Sequence, residues 1–177
     1  MKSKKKIYIL HGWAYTTEKW KPLIKELEKN YKVELLKIPG LTAELEEVWT
    51  IGNYVEWLNN ILKKDPTERS HSAGSGQAGQ GKVVLLGHSN GGLISLAYSL
   101  RYPEKVENLI LIDTTGIYHK EFFLQLKRYI LGSLAKVGKK MTDSPALKKL
   151  LYKIAGEHDY ERANLISRQT MRNLIKV

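Results

Sequence analysis

The sequence contains no cysteine, so disulfides and thiolate metal sites are excluded and a reducing, cytoplasmic setting is expected. It also lacks any apolar run of about 18 residues, which excludes a stable membrane-spanning helix. Lys2, Lys4, Lys5 and Lys6 resemble the start of a secretory signal. The apolar run that follows them, Ile7-Tyr8-Ile9-Leu10, stops at His11-Gly12 and is too short to serve as one. Acidic residues are scarce, 18 against 29 Lys and Arg, for a formal net charge of +11. Such a balance invites a nucleic-acid partner. Its distribution argues otherwise: from Tyr118 to Val177 there are 13 Lys and Arg against 5 Asp and Glu. These charges alternate with apolar residues at helical spacing, as on solvated helix faces, and no nucleic-acid partner is expected. Lys127, Arg128, Lys136, Lys139 and Lys140 leave a weaker option of association with an anionic membrane surface.

What is present fits a globular chain. Its 177 residues, 42% hydrophobic and 27% charged, suit one domain with at most a small subdomain. A chain of this length buries about 70% of its unfolded surface without a covalent staple. Lys5 to Leu10 reads as a buried strand, and Trp20, Leu23, Ile24 and Leu27 repeat at helical spacing after the capping sequence Thr16-Thr17-Glu18. Tyr31 to Ile38 reads as a second strand, closed by Pro39-Gly40, and Ile51 to Lys63 as a helix. Asp65 to Gly81 is a polar Ser/Gly/Gln/Ala loop, long for a connection within a domain. Lys82 to Leu86 is a strand, Asn90 to Tyr102 a helix, and Val106 to Ile112 a strand ending at Asp113. This alternation predicts an α/β fold with a parallel sheet and helices on both faces. Beyond Asp113 the spacing is helical throughout, over Glu121 to Val137, Ala146 to Ile154 and Glu161 to Ile175. The expected organisation is a core over 1–117 followed by a helical cap over 118–177.

Gly87-His88-Ser89-Asn90-Gly91, followed by Gly92, lies between an apolar strand and an apolar helix. A serine there occupies a tight strand-to-helix turn that small neighbours allow to close. Its hydroxyl then stands at the carboxyl edge of the sheet, where parallel sheets bind ligands, above the positive end of a helix. Ser89 is the candidate nucleophile. His11-Gly12-Trp13 follows the first strand directly, and its loop can aim a backbone N–H at the serine. The N–H groups of Trp13 and Asn90 are the candidate oxyanion donors. The bland reading of His11-Gly12 is a turn that merely ends a strand.

Together these residues resemble the α/β-hydrolase superfamily, particularly small esterase-like members with an HGW turn and a GHSxGG elbow. Ile7 to Trp13, Lys37-Ile38-Pro39-Gly40, the elbow, and Leu109-Ile110-Leu111-Ile112-Asp113 fall in the family's order. The likeness covers 5–113 well and 118–177 more loosely, where the helices look like the family's cap. It implies a partial α/β-hydrolase fold in which Ser89 attacks the acyl carbon of a small ester-like substrate, forming an acyl-enzyme that water hydrolyses. Neither metal nor organic cofactor is implied.

The resemblance also implies an acid and a histidine that follow Ser89 in the chain. The sequence ends 88 residues after Ser89 in helical spacing, so the family's last two strands and histidine loop are expected to be missing. His88 should point away from the hydroxyl and pack the turn, and His11 matches a structural position. His71 precedes the strand that leads to Ser89, at the opposite edge. His119 and His158 are open as bases. Asp159, in Gly156-Glu157-His158-Asp159, and Asp113 are open as acids. The competing reading is a non-catalytic ligand-binding module that keeps the pocket and lacks the triad.

Overall fold

Short apolar segments with side chains alternating between two faces form the sheet, and the computed structural model describes residues 4–13, 17–65, 82–116 and 163–175. Four strands, β1 (Lys5–Leu10), β2 (Tyr31–Leu35), β3 (Val83–His88) and β4 (Val106–Ile112), lie in the order β2-β1-β3-β4. Every pairing is parallel. Ile7 stands beside Val33 of β2 and Val84 of β3, and Leu10 stands beside Gly87. That register brings the carboxyl ends of β1 and β3 level with each other.

Parallel neighbours require long crossovers, and helices supply them. A 3-10 turn over Glu18–Trp20 leads into α1 (Lys21–Leu27), and α2 (Ile51–Lys64), α3 (Asn90–Arg101) and α4 (Leu165–Ile175) follow. Ile7, Ile9, Val84 and Leu86 project from one face of the sheet and meet Trp20, Ile24 and Leu27. Tyr8, Leu10, Val83 and Leu85 project from the other, and pack with Tyr54, Val55 and Leu58 of α2, Ile94 and Tyr98 of α3, and Leu174 of α4. Both faces are thus covered, which is why the central strands are almost purely apolar. At the amino edge Lys6 pairs with Glu34 and Asp65, and Tyr8 donates to Asp65 at 2.6 Å.

Several boundaries differ from the expected ones for local reasons. β2 stops at Leu35 instead of reaching Ile38, because the N–H groups of Leu41, Thr42 and Ala43 all converge on the Ile38 carbonyl, at 3.0–3.1 Å, and turn the chain. β3 continues to His88, since Gly87 and His88 still pair with Leu111 and Ile112. Thr17 provides no side-chain cap to the first helical segment. At the start of α2 the Asn53 side chain reaches back to the N-cap residue, its Oδ1 accepting from the Thr50 N–H at 2.9 Å and from the Thr50 hydroxyl at 2.6 Å. The chain divides into one unit of 1–116 with 164–177 and a second of 117–163. Helix α4, read from sequence as part of the cap, groups with the core. Trp49 explains this: its N–H donates to Thr170 Oγ1 at 3.0 Å and its carbonyl accepts from Asn173 Nδ2 at 3.3 Å. The expected loop beyond Asp65 and the helices over 121–137 and 146–154 lie outside the described residues.

The elbow packs on β1 through glycine. A methyl at Gly91 would fall 2.1 Å from the Leu10 carbonyl oxygen and 2.5 Å from that of His11, and both are backbone atoms. A methyl at Gly87 would fall 2.5 Å from Gly92 Cα. By contrast, one at Gly52 on α2 would meet only Thr50 Oγ1, at 3.6 Å. Gly91→Ala is therefore expected to lower stability by about 3 kcal/mol or more through overpacking. Gly52→Ala should raise it by about 0.5–1 kcal/mol through helix propensity. Urea midpoints compare the two, and equal effects would contradict the packing account.

Candidate active site

The site is built where β3 gives way to α3. Ser89 makes the turn with φ 52° and ψ −120°, a conformation an L-residue adopts at a cost of about 1–3 kcal/mol. Four backbone hydrogen bonds hold it there. The Ser89 N–H donates to Ile112 O at 3.1 Å, and its carbonyl accepts from Gly92, Leu93 and Thr115 at 3.0, 3.2 and 3.3 Å. The serine is thus fixed by β4 on one side and by the first turn of α3 on the other.

The loop leaving β1 lies directly against this serine. A methyl built on Gly12 would come within 2.8 Å of Ser89 Cβ and 3.2 Å of its Oγ, so only a bare Cα lets the two segments approach this closely. His11 fixes the orientation of the loop. Buried completely, it contacts the Gly12 carbonyl oxygen through Nδ1 at 2.6 Å and Thr42 Oγ1 through Nε2 at 2.8 Å. A carbonyl can only accept, so Nδ1 carries the proton and donates it. Thr42 Oγ1 accepts from the Ile38 N–H at 3.0 Å and donates its own proton to Nε2. The ring is neutral in this arrangement, and burial, with His88 nearby, holds its pKa below the ordinary value despite the bond to Gly12. Because the Gly12–Trp13 peptide is trans, pinning its carbonyl to His11 turns the Trp13 N–H to the opposite side.

Of the residues singled out from sequence, Gly12, Gly87, His88, Ser89, Asn90, Gly91 and Gly92 meet at this one edge. His88 is half-buried, with its ring edge-on to Trp20 at 5.8 Å on the α1 face. Trp13 is half-buried and packs against the cluster on the opposite face. Asn90 is 2% exposed, and its Oδ1 accepts from the Thr115 hydroxyl at 3.2 Å. Thr115 Oγ1 lies 3.5 Å from Ser89 Oγ and is its side-chain partner among the described residues. No histidine or carboxylate of those residues bonds to the serine. Asp113 reaches the same edge at the end of β4, with φ 43°, and is exposed. Asp159, His71, His119 and His158 lie outside the described residues, as do Lys127, Arg128, Lys136, Lys139 and Lys140. Sequence reasoning missed Thr42 and Thr115, each a single hydroxyl whose partner is distant in the chain or across a turn.

Among the described residues no group of three or more His, Asp or Glu is placed to hold a metal ion. No described helix is long and apolar enough to cross a membrane. Residues 5–164 match the family model of the alpha/beta hydrolase fold, and the chain belongs to that family. Over 115 residues it is 28% identical to a pimeloyl-acyl-carrier-protein methyl ester esterase of Pseudoalteromonas atlantica, a match that covers 63% of this chain and 38% of the esterase. Over 126 residues it is 29% identical to the abhydrolase domain-containing protein abhd-5.2 of Caenorhabditis elegans, covering 66% of this chain and 24% of that protein. The matched part is thus well under half the length of these relatives. The crystal structure of a bacterial membrane phospholipase A shares the fold, with a TM-score of 0.62 at 20% identity over 99% of this chain and 57% of that one.

The neutral, buried His11 has a consequence for stability. Its folded pKa is depressed, so the unfolded chain binds the proton more readily, and stability rises with pH across the interval between the two values. The contribution is fully present above the unfolded pKa of about 6.5 and is lost as pH falls below it. His11→Gln should be less stable by about 1–2 kcal/mol at pH 7.5 and lose less stability than the unsubstituted protein on going to pH 5. Thermal melts at the two pH values check this, and equal acid losses in both proteins would contradict it.

Proposed function

We propose that this is the site of a serine hydrolase acting on a small ester-like substrate. The observation that carries the reading is the strained Ser89 turn with the Gly12 loop against its Oγ. In the proposed reaction Ser89 Oγ attacks the acyl carbon, and its proton leaves to a base as the C–O bond forms. The carbonyl oxygen becomes an oxyanion and accepts from the N–H groups of Trp13 and Asn90. The pinned Gly12 carbonyl and the amino terminus of α3 support those two donors. The tetrahedral species collapses as the ester C–O bond breaks and the base returns its proton to the departing oxygen, which leaves as the neutral alcohol. Water then attacks the acyl carbon, passing a proton through the base to Ser89 Oγ as the acid is released.

No base is assigned: no described histidine bonds to Ser89, and His119 and His158, which lie outside the described residues, stay open for that role. Asp159 and Asp113 remain the two proposals for the acid. The esterase relative supports acyl chemistry of this kind, and a cytoplasmic setting goes with the reading. A second reading, a non-catalytic ligand-binding module, is favoured by one observation: the side-chain partner of Ser89 among the described residues is a hydroxyl, which is not a base.

Acylation by p-nitrophenyl acetate separates these readings, because an oxyanion site accelerates the first step even without a complete triad. The hydrolase reading predicts one acetyl group on Ser89 by intact mass and peptide mapping, and none at that peptide in Ser89→Ala. Absence of acetyl-Ser89 in the unsubstituted protein, with decanoate binding unchanged by Ser89→Ala, would favour the binding module.

A further inference from the structure

The turn after β4 is shaped to place one hydroxyl beside the serine. Asp113 at φ 43° and Gly116 at φ 88° bracket Thr114 and Thr115. The Thr115 N–H donates to the Ser89 carbonyl at 3.3 Å, which ties the turn to the elbow backbone. Thr114 sits over Gly92, where an added methyl would fall 2.2 Å from its Oγ1. Thr115 Oγ1 donates its proton to Asn90 Oδ1 at 3.2 Å, and that leaves its lone pairs to face Ser89 Oγ at 3.5 Å. A hydroxyl has one proton to give, so the order of donation is Ser89 to Thr115 to Asn90. The relay ends on a carboxamide, which does not take up a proton near neutral pH. It can orient the serine without activating it.

We infer that Thr115 is a positioning residue for Ser89: its hydroxyl fixes the serine side chain in one rotamer and links it to the side chain of the next residue, Asn90. The effect on reactivity rests on the serine-hydrolase reading, whereas the effect on the rotamer does not. Asn90 fits the role. It is buried at the first position of α3, and among the described residues its Nδ2 has no partner, so the bond to Thr115 is what engages its side chain. The contact is long and its contribution correspondingly modest.

Two measurements on the full chain test this, with Thr115→Val removing the hydroxyl at nearly constant shape and Thr115→Ser keeping it. The first is the Ser89 side-chain rotamer, from NMR three-bond couplings to its β-protons. A single rotamer is expected in the unsubstituted protein and in Thr115→Ser, with averaging in Thr115→Val. The second is the rate of Ser89 acetylation by p-nitrophenyl acetate, expected to fall about three- to tenfold in Thr115→Val and to stay within about twofold in Thr115→Ser. Rotamer averaging in the unsubstituted protein overturns the proposal even if Thr115→Val does not fold. A single rotamer in Thr115→Val also overturns it, and so does a Thr115→Ser variant that behaves like Thr115→Val, since a methyl contact would then explain the effect. Expected rotamers with no acetylation of the unsubstituted protein would contradict the hydrolase reading and leave the positioning role standing.

Discussion

The backbone of Ser89 is the constraint around which the described core is arranged. A residue at φ 52° needs its surroundings to hold it, and three separate segments do so. β4 accepts its N–H at Ile112, and the turn after β4 donates back to its carbonyl through Thr115. The first turn of α3 closes on the same carbonyl, while the loop after β1 brings Gly12 against the side chain. The contacts with β4, its following turn and the Gly12 loop depend on the parallel register that levels β1, β3 and β4 at their carboxyl ends. The register in turn depends on the alternation of Ile7, Ile9, Val84 and Leu86 against Tyr8, Leu10, Val83 and Leu85, since a slip of one residue would exchange the two faces.

The His11 ring, the Thr42 and Thr115 hydroxyls and the Asn90 carbonyl oxygen are tied by hydrogen bonds of neutral partners. His11 is bound at both ring nitrogens, by a carbonyl and a hydroxyl, which fixes its tautomer and leaves it no lone pair for chemistry. Its work is to orient the peptide between Gly12 and Trp13. His88, one residue before the serine, lies on the α1 face against Trp20 and serves the packing of the turn. Two histidines next to a candidate nucleophile are therefore both accounted for structurally. Neither bonds to the Ser89 hydroxyl, whose side-chain partner among the described residues is Thr115.

Much of this arrangement could be read from the residues themselves. The strands β1 and β4 and the helix α2 follow from apolar alternation and helical spacing, with α2 ending one residue later than expected. The elbow follows from small residues clustered between an apolar strand and an apolar helix. What escaped the sequence is set by contacts between distant or inverted segments. β2 ends early because three N–H groups converge on the Ile38 carbonyl, a local turn with no signature beyond Pro39-Gly40. Helix α4 joins the core because Thr170 and Asn173 bond to the backbone of Trp49, more than a hundred residues earlier in the chain. Thr42 and Thr115 look like ordinary loop threonines until folding sets them beside His11 and Ser89.

In the proposed reaction the elbow presents a nucleophilic oxygen beside donors for a developing anion. Binding of phenylboronic acid tests it most directly, because its boron, which carries one carbon and two oxygens, becomes tetrahedral only on gaining a fourth ligand, here the serine oxygen, whose proton passes to solvent. A nucleophilic Ser89 gives an 11B NMR signal of a bound tetrahedral boronate in the unsubstituted protein, and the signal is lost in Ser89→Ala. Boron that stays trigonal in the unsubstituted protein, or a tetrahedral signal that persists in Ser89→Ala, would contradict it.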